Sequence, residues 1–246
     1  MKGELIFGVN PVKESLQGTR GAYNLYVQIS ATDHRVEKII KLAEDRGVVV
    51  HRRDKNDLTK MCASSHHQGI ALEVEPFRYA DFDDLLASIA GSGETGFLLV
   101  LDGIQDPHNL GALIRSAACA GANCVIIPKD RACGITAAVE KSSAGAAEML
   151  PVSMVTNIAQ TLETLKKSGY WVYGLAGEAS QALYGVKFSG NSVLVIGGEG
   201  EGIRPLVRKQ CDVIMSIPQY GGVSSLNASV AGGITLFEMA RSLRGV

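Results

Sequence analysis

Phe97-Leu98-Leu99-Val100-Leu101 is an unbroken apolar run, and Cys124-Val125-Ile126-Ile127 is a second. Between them lie a polar turn, Asp102-Gly103-Ile104-Gln105-Asp106-Pro107-His108-Asn109, and a helical pattern over residues 110–120. A strand that is apolar along its whole length has no face for water, so it belongs in a sheet covered on both sides. Strand, helix and strand in succession read as one step of a parallel α/β layer. The alternation continues downstream, with strands expected at 152–155, 171–175, 193–196 and 213–217. Helices are expected at 137–147, 158–167, 203–211 and 228–243. The fold class is therefore α/β, a mostly parallel, doubly wound sheet.

Upstream, shorter strands at 5–9, 22–29, 48–51 and 70–74 alternate with helices at 11–17, 34–46 and 57–63. In the second helix Val36, Ile39, Ile40 and Ala43 recur at helical spacing, and Gly47 stops it. Residues 1–75 thus form a small α/β domain. Residues 76–96 read as a linker, in which a short amphipathic helix at 81–90 runs into Gly91-Ser92-Gly93-Glu94-Thr95-Gly96. Residues 97–246 form the larger domain.

The 246 residues carry 24 basic and 25 acidic side chains, a formal net charge of -1. That balance speaks against holding nucleic acid by bulk electrostatics and leaves a shaped site as the route to any RNA. The five cysteines are an odd number with no CxxC pair, which argues against a disulfide framework or a zinc site. Met1-Lys2-Gly3-Glu4 has no signal-peptide pattern, and no apolar run reaches membrane-spanning length. A cytoplasmic protein with no membrane partner is expected.

Ligands of a parallel sheet bind beyond the carboxyl ends of its strands. Three such ends are rich in glycine and polar residues. In the first, residues 101–115, Asn109 is placed to cap a helix, and Arg115 sits among apolar neighbours where a charge needs a partner. The second, Ile196-Gly197-Gly198-Glu199-Gly200-Glu201-Gly202, has four glycines in six residues. Its spacing is wrong for a dinucleotide fingerprint, and two carboxylates would face a pyrophosphate, so an uncharged or cationic ligand fits better. The third, Ile217 to Ala231, leads into a helix rich in small residues, with Ser224, Ser225 and Asn227 available as caps. Taken singly, each has an ordinary structural explanation as a cap or a turn.

Together and in this order, the three segments resemble the signature of the SpoU–TrmH family of RNA 2′-O-ribose methyltransferases. Residues 109–115 match its first motif, 197–202 its second and 217–231 its third. Phe7-Gly8-Val9-Asn10-Pro11-Val12 and His67-Gln68-Gly69-Ile70-Ala71 resemble the substrate-binding domain, of a ribosomal-protein-like fold, that precedes the catalytic domain in one branch. That branch is similar to the guanosine-2′-O-methyltransferases of 23S rRNA that act on the peptidyl-transferase P loop. The resemblance spans nearly the whole chain and departs from the usual pattern at Gly198, where relatives often carry Asn, Ser or Ala.

The resemblance implies a deep trefoil knot near the C-terminus, with S-adenosylmethionine held by the knotted loops. It implies a homodimer with the active site at the subunit boundary, and 23S rRNA or its precursor as partner. It makes Arg115 the catalytic centre, contacting the target nucleotide. Asn109 would orient the substrate or Arg115, Glu199 would fix the glycine loop or the arginine, and Ser225 and Asn227 would position the nucleotide. Backbone groups of Gly197, Ile217 and Leu226 would contact the adenosine, and no metal is called for. Free arginine has a pKa above about 12, which favours Arg115 as a stabiliser of the developing alkoxide; general-base action stays open. In the N-terminal domain, His51-Arg52-Arg53-Asp54-Lys55 and His66-His67 are candidate RNA contacts, and a solvated loop face explains them equally well.

Three other readings compete. A tRNA 2′-O-methyltransferase shares the motifs. A silent RNA-binding or ribosome-assembly factor would not need Asn109, Arg115, Glu199 and Asn227 intact. A dinucleotide-binding oxidoreductase would bind nicotinamide.

Overall fold

The computed structural model describes residues 3–18, 20–30, 34–222 and 225–245. Met1 and Lys2, and the candidate cap Ser224, lie outside the described residues. The chain divides into two compact units: Met1–Arg78 with Ile135–Met149, and Tyr79–Gly134 with Leu150–Val246.

The first unit is a four-stranded sheet of β1 (Glu4–Phe7), β2 (Ala22–Gln28), β3 (Val49–Arg53) and β4 (Ile70–Val74), in the order β1-β4-β2-β3. β4 runs antiparallel to both neighbours, and β2 and β3 are parallel. Alternation along the strands sends Ile6, Leu25, Val27, Ile70 and Leu72 to one face. There they meet Val12 and Leu16 of helix Val9–Gln17, and Val36, Ile39 and Ala43 of helix His34–Asp45. On the other face, helix Lys55–Cys62 seats Leu58 against Phe7 and Ala71. Asp54 caps this helix, its side chain accepting from the Asp57 N–H at 2.8 Å.

Two expectations about domain limits meet a different arrangement. The helix expected at 137–147 is broken into Ala137–Ser142 and Ala146–Met149, because Ala144 and Gly145 both take positive φ. This stretch packs with the first unit, not the second. Arg20 is the reason: its buried guanidinium donates to Glu140 at 2.5 Å and to Glu148 at 2.7 Å, and also pairs with Glu4. The expected linker is likewise part of a folded unit. Helix Phe82–Ser92 buries Ile89, with Phe82, Leu85 and Leu86 packed alongside, in the second core, and the glycine-rich stretch supplies its left-handed end at Gly93.

The second unit is a sheet of β5 (Phe97–Asp102), β6 (Cys124–Pro128), β7 (Val152–Val155), β8 (Trp171–Leu175), β9 (Gln181–Ala182), β10 (Ser192–Gly197) and β11 (Val213–Ser216). The order is β7-β6-β5-β10-β8-β11-β9, and every pairing is parallel. β5, β6 and β10 are buried along their whole length, as the apolar runs require. The two-residue β9 has no sequence signature and was not expected. One face of the sheet packs on helix Ile158–Lys167 through Ile158, Leu162 and Leu165. Helices Pro107–Ala120 and Ala228–Arg244 pack against each other. A side chain at Gly232 would collide with Leu113 and Ile196, so the small residues of the last helix serve this close approach. Among the described residues, no helix is long and apolar enough to cross a membrane.

Candidate active site

Three strand ends and one helix start surround a cavity of about 580 Å³. Its walls come from residues 175–178 after β8, residues 196–203 at the end of β10, and Ile217 and Gln219 after β11. Ser225 to Ala228 complete it at the start of the last helix. The size lies within the usual range for small-molecule sites. The glycine loop turns back on itself, the Gly202 N–H donating to the Gly198 carbonyl at 3.0 Å. A Cβ at Gly197 would run into the Gly202 and Ile203 backbone, and one at Gly198 would lie 2.5 Å from the Gly103 carbonyl oxygen. These two glycines are thus demanded by loop-on-backbone packing.

A line of hydrogen bonds ties the three motifs together. Asn109 is buried, at 8 % exposure, and donates its amide to the Glu199 carboxylate. Its carbonyl oxygen accepts from Asn227 Nδ2 at 3.0 Å. Asn227 Oδ1 in turn accepts from the Ser229 and Val230 N–H groups at 2.8 and 3.3 Å and caps the last helix. Asn109 itself is not a cap. Asp106 takes that place, accepting from the His108 N–H at 3.1 Å with Pro107 in the first helical turn. The Asn109 side chain is thereby left free to bridge the second and third motifs.

The sequence reading missed a buried ion pair beneath the loop. Asp102, at 1 % exposure, accepts from Arg204 Nε at 2.7 Å, from its terminal nitrogen at 2.5 Å and from its backbone N–H at 2.9 Å. Occupied in this way, Arg204 precedes a helix confined to Pro205–Arg208, shorter than the expected 203–211. The signal was a lone carboxylate closing an apolar strand. Also missed was the end of β8, where Glu178 lines the cavity and pairs with Arg208.

Of the expected site residues, Glu199, Ser225, Asn227, Gly197, Ile217 and Leu226 all line the cavity, and Asn109 joins them through its hydrogen bonds. Arg115 does not line it. It lies six residues beyond Asn109 on the same helix, about 9 Å along the axis. There it is exposed and makes no hydrogen bond or ion pair among the described residues. Because it is exposed, the partner that the apolar neighbours seemed to demand is not needed within one chain. In the first unit, His67 is buried, its ring accepting from the Gly69 N–H at 3.0 Å; burial lowers its pKa below the usual histidine value. His67 is a structural residue rather than an RNA contact. His51 stacks on Tyr26 at 5.4 Å, and the Arg53 guanidinium lies 5.8 Å from the Tyr26 ring centre. Among the described residues, no cluster of three or more His, Cys, Asp or Glu could hold a metal ion.

The cavity suits a ligand with an apolar body and a positive centre. Leu175, Ile196, Ile203 and Leu226 supply apolar wall, and Glu199 and Glu201 place carboxylates around it, beside the Glu178–Arg208 pair. Backbone from the ends of β10 and β11 borders the same space, so main-chain groups are at hand for a flat heterocycle.

Comparison with known proteins agrees with this architecture. The profile described as the SpoU rRNA Methylase family matches residues 96–237, and that of RNA 2′-O ribose methyltransferase substrate binding matches residues 5–80. The chain is 44% identical over 241 residues to a Xylella fastidiosa protein named 23S rRNA (guanosine-2′-O-)-methyltransferase RlmB, covering 98% of this chain and 97% of that protein. It is 42% identical over 242 residues to the protein of the same name from Escherichia coli K12, covering 97% and 98%. Among solved structures, the SpoU methyltransferase AviRb from Streptomyces viridochromogenes, in complex with the cofactor AdoMet, superposes with a TM-score of 0.80. The identity is 21%, over 96% of this chain and 89% of that one. An AdoMet-bound rRNA methyltransferase from Sinorhizobium meliloti gives 0.79 at 22% identity, over 98% and 87%.

Proposed function

The chain belongs to the SpoU rRNA methylase family, and from that premise we propose that it transfers a methyl group from S-adenosylmethionine to the ribose 2′-hydroxyl of a guanosine in 23S rRNA. The single observation that carries this reading is the Glu199–Asn109–Asn227 line, which joins the three motifs at the edge of one glycine-walled cavity. The full-length relatives supply the substrate class. The target lies in the peptidyl-transferase P loop of 23S rRNA or its precursor.

The donor, when bound, supplies an electrophilic methyl group. Backbone groups at Gly197, Ile217 and Leu226 hold its adenosine, and the carboxylates beside the cavity favour its positive charge. Asn109 and Asn227 orient the ribose, Glu199 fixes the glycine loop through Asn109, and Ser225 borders the nucleotide. Arg115 stabilises the alkoxide that develops as the hydroxyl oxygen attacks the methyl group, while the hydroxyl proton passes to a nearby RNA phosphate and S-adenosylhomocysteine leaves.

Arg115 reaches the reacting centre across a homodimer. Its exposure and lack of partners within one chain support that placement, as do Val230 and Phe237. These lie seven residues apart on one face of the last helix, each about half exposed, at 50% and 53%. The loops after β10 and β11 form the deep trefoil knot of the family, and the first unit is its ribosomal-protein-like RNA-binding domain. The protein acts in the cytoplasm, where its substrate is assembled.

Purified protein, tritiated S-adenosylmethionine and unmodified 23S rRNA test the proposal. Wild type incorporates label into ribose, while R115A binds the donor normally and loses incorporation by about a hundredfold or more. Near-normal incorporation by R115A would sink the assignment.

A further inference from the structure

A second cavity, of about 310 Å³, lies on the other side of the glycine loop. It shares Gly198, Glu199, Glu201 and Gly202 with the first, so residues 198–202 border both spaces. Its remaining walls are Asp102, Gly103, Gln105, Arg131 and Arg204. Their engagements differ sharply. Asp102 and Arg204 satisfy each other through three hydrogen bonds, and Glu199 is taken by Asn109. Glu201, Gln105 and Arg131 are exposed and make no hydrogen bond or ion pair among the described residues.

The free groups are therefore one carboxylate, one carboxamide and one guanidinium. Arg131 also holds its backbone at φ 59, in the left-handed region that a residue with a side chain rarely adopts. Such conformations persist where the surroundings enforce them, and they cluster at ligand sites. A phosphate is a poor occupant, because Glu199 and Glu201 would repel it. A purine that offers donors on one edge and acceptors on another matches all three free groups. Guanine does so: its N1–H and 2-amino group donate, and its O6 and N7 accept, the latter pair fitting one guanidinium in bidentate fashion. Adenine does not, since it presents an acceptor at N1 where the carboxylate would stand.

We infer that this second cavity receives the base of the target guanosine, with Glu201 accepting from N1–H and the 2-amino group and Arg131 donating to O6 and N7. Gln105 closes the rim as a further polar contact. The glycines at 103, 198 and 202 leave the walls thin enough for a flat ring to lie against backbone. The ribose of a base held here lies toward Glu199, which borders both cavities and accepts from Asn109. The inference rests on the methyl-transfer reading above and adds the residues that select guanine.

The test uses full-length protein and two versions of a 23S rRNA fragment, one carrying guanosine at the methylated position and one carrying inosine, which lacks the 2-amino group. Wild type should favour guanosine over inosine about tenfold or more in kcat/KM, the worth of one charge-assisted hydrogen bond. E201A should lower kcat/KM on the guanosine RNA by a similar factor and shrink the preference to within about twofold, as coupled partners do. Q105A, on the opposite rim, should lower kcat/KM on both RNAs while keeping the preference. An unchanged guanosine preference in E201A, or none in wild type, overturns the base assignment while methyl transfer stands. No methyl transfer by wild type to either RNA overturns the functional reading, and the base assignment with it.

Discussion

Asn227 and Asn109 meet at 3.0 Å across 118 positions of sequence, Nδ2 of the first donating to Oδ1 of the second. The same Asn227 caps the last helix through its own carbonyl oxygen. One carboxamide therefore does two separable jobs. N227A should lose both, costing about 1 kcal/mol of stability and most of the methyl transfer. N227D keeps an oxygen for the cap but has no N–H to give to Asn109. Its melting temperature should stay within a few degrees of wild type while methyl transfer falls about tenfold or more. Near-wild-type methyl transfer by N227D would show that the Asn109 contact does not matter.

The Asp102–Arg204 pair anchors the loop between the two cavities. D102A removes a buried carboxylate and three hydrogen bonds, while Arg204, still partly exposed, keeps access to water. The expected cost is about 2–4 kcal/mol, with weaker donor binding, because the Gly197–Gly202 loop loses its floor. The single tryptophan, Trp171, lies on β8 of the same sheet and reports the unfolding by fluorescence. A loss below about 0.5 kcal/mol would mean that the pair does not hold the loop.

In the first unit, three carboxylates surround one guanidinium. Burial, with Glu148 and Glu4 nearby, pushes the Glu140 carboxyl up to about 8 in spite of the opposing Arg20. A carboxyl raised in the folded state binds its proton there more tightly than in the unfolded chain. Its stabilising effect is complete below about pH 4.5 and is lost as pH rises to about 8. E140Q, a fixed mimic of the protonated form, should flatten this part of the stability profile. Calorimetry from pH 5 to 9 compares the two proteins; parallel profiles would mean that Glu140 is ionised throughout.

Arg115 stands outside the cavity of its own chain, which makes its origin testable by mixing. R115A supplies an intact cavity without the arginine, and N227D supplies the arginine without an intact cavity. If the arginine crosses between subunits, co-refolding equal amounts of the two should restore roughly a quarter of wild-type activity. Half of the dimers are mixed, and each mixed dimer has one complete site. No recovery would place the arginine and the cavity in the same chain.

Sequence carried the sheet well, for a physical reason. Fully buried strands such as 97–101, 124–127 and 193–196 leave no choice of face, so their apolar runs are unambiguous. The glycine loop and the last helix were equally visible. What was hidden depended on contacts distant in sequence. The stretch 135–149 reads like any helix of the second unit until Arg20, more than a hundred residues earlier, pairs with Glu140 and Glu148. Asn109 reads like a cap, and only the position of Asp106 and Pro107 shows that its side chain is free for another use. Asp102 gave one faint cue, a charge closing an apolar strand, and its partner lies 102 residues away. His66-His67 looked like a surface pair, but His67 is core.

We propose that this chain methylates one guanosine ribose of 23S rRNA at a site assembled from its three motifs. Nucleotide-resolution mapping of 2′-O-methylation in rRNA and tRNA, from cells with and without the gene, tests it most directly. The expected result is the loss of a single methyl group, on a guanosine of the 23S peptidyl-transferase P loop, restored by the wild-type gene and not by R115A. An unaltered 23S map, or a loss confined to tRNA, would contradict it.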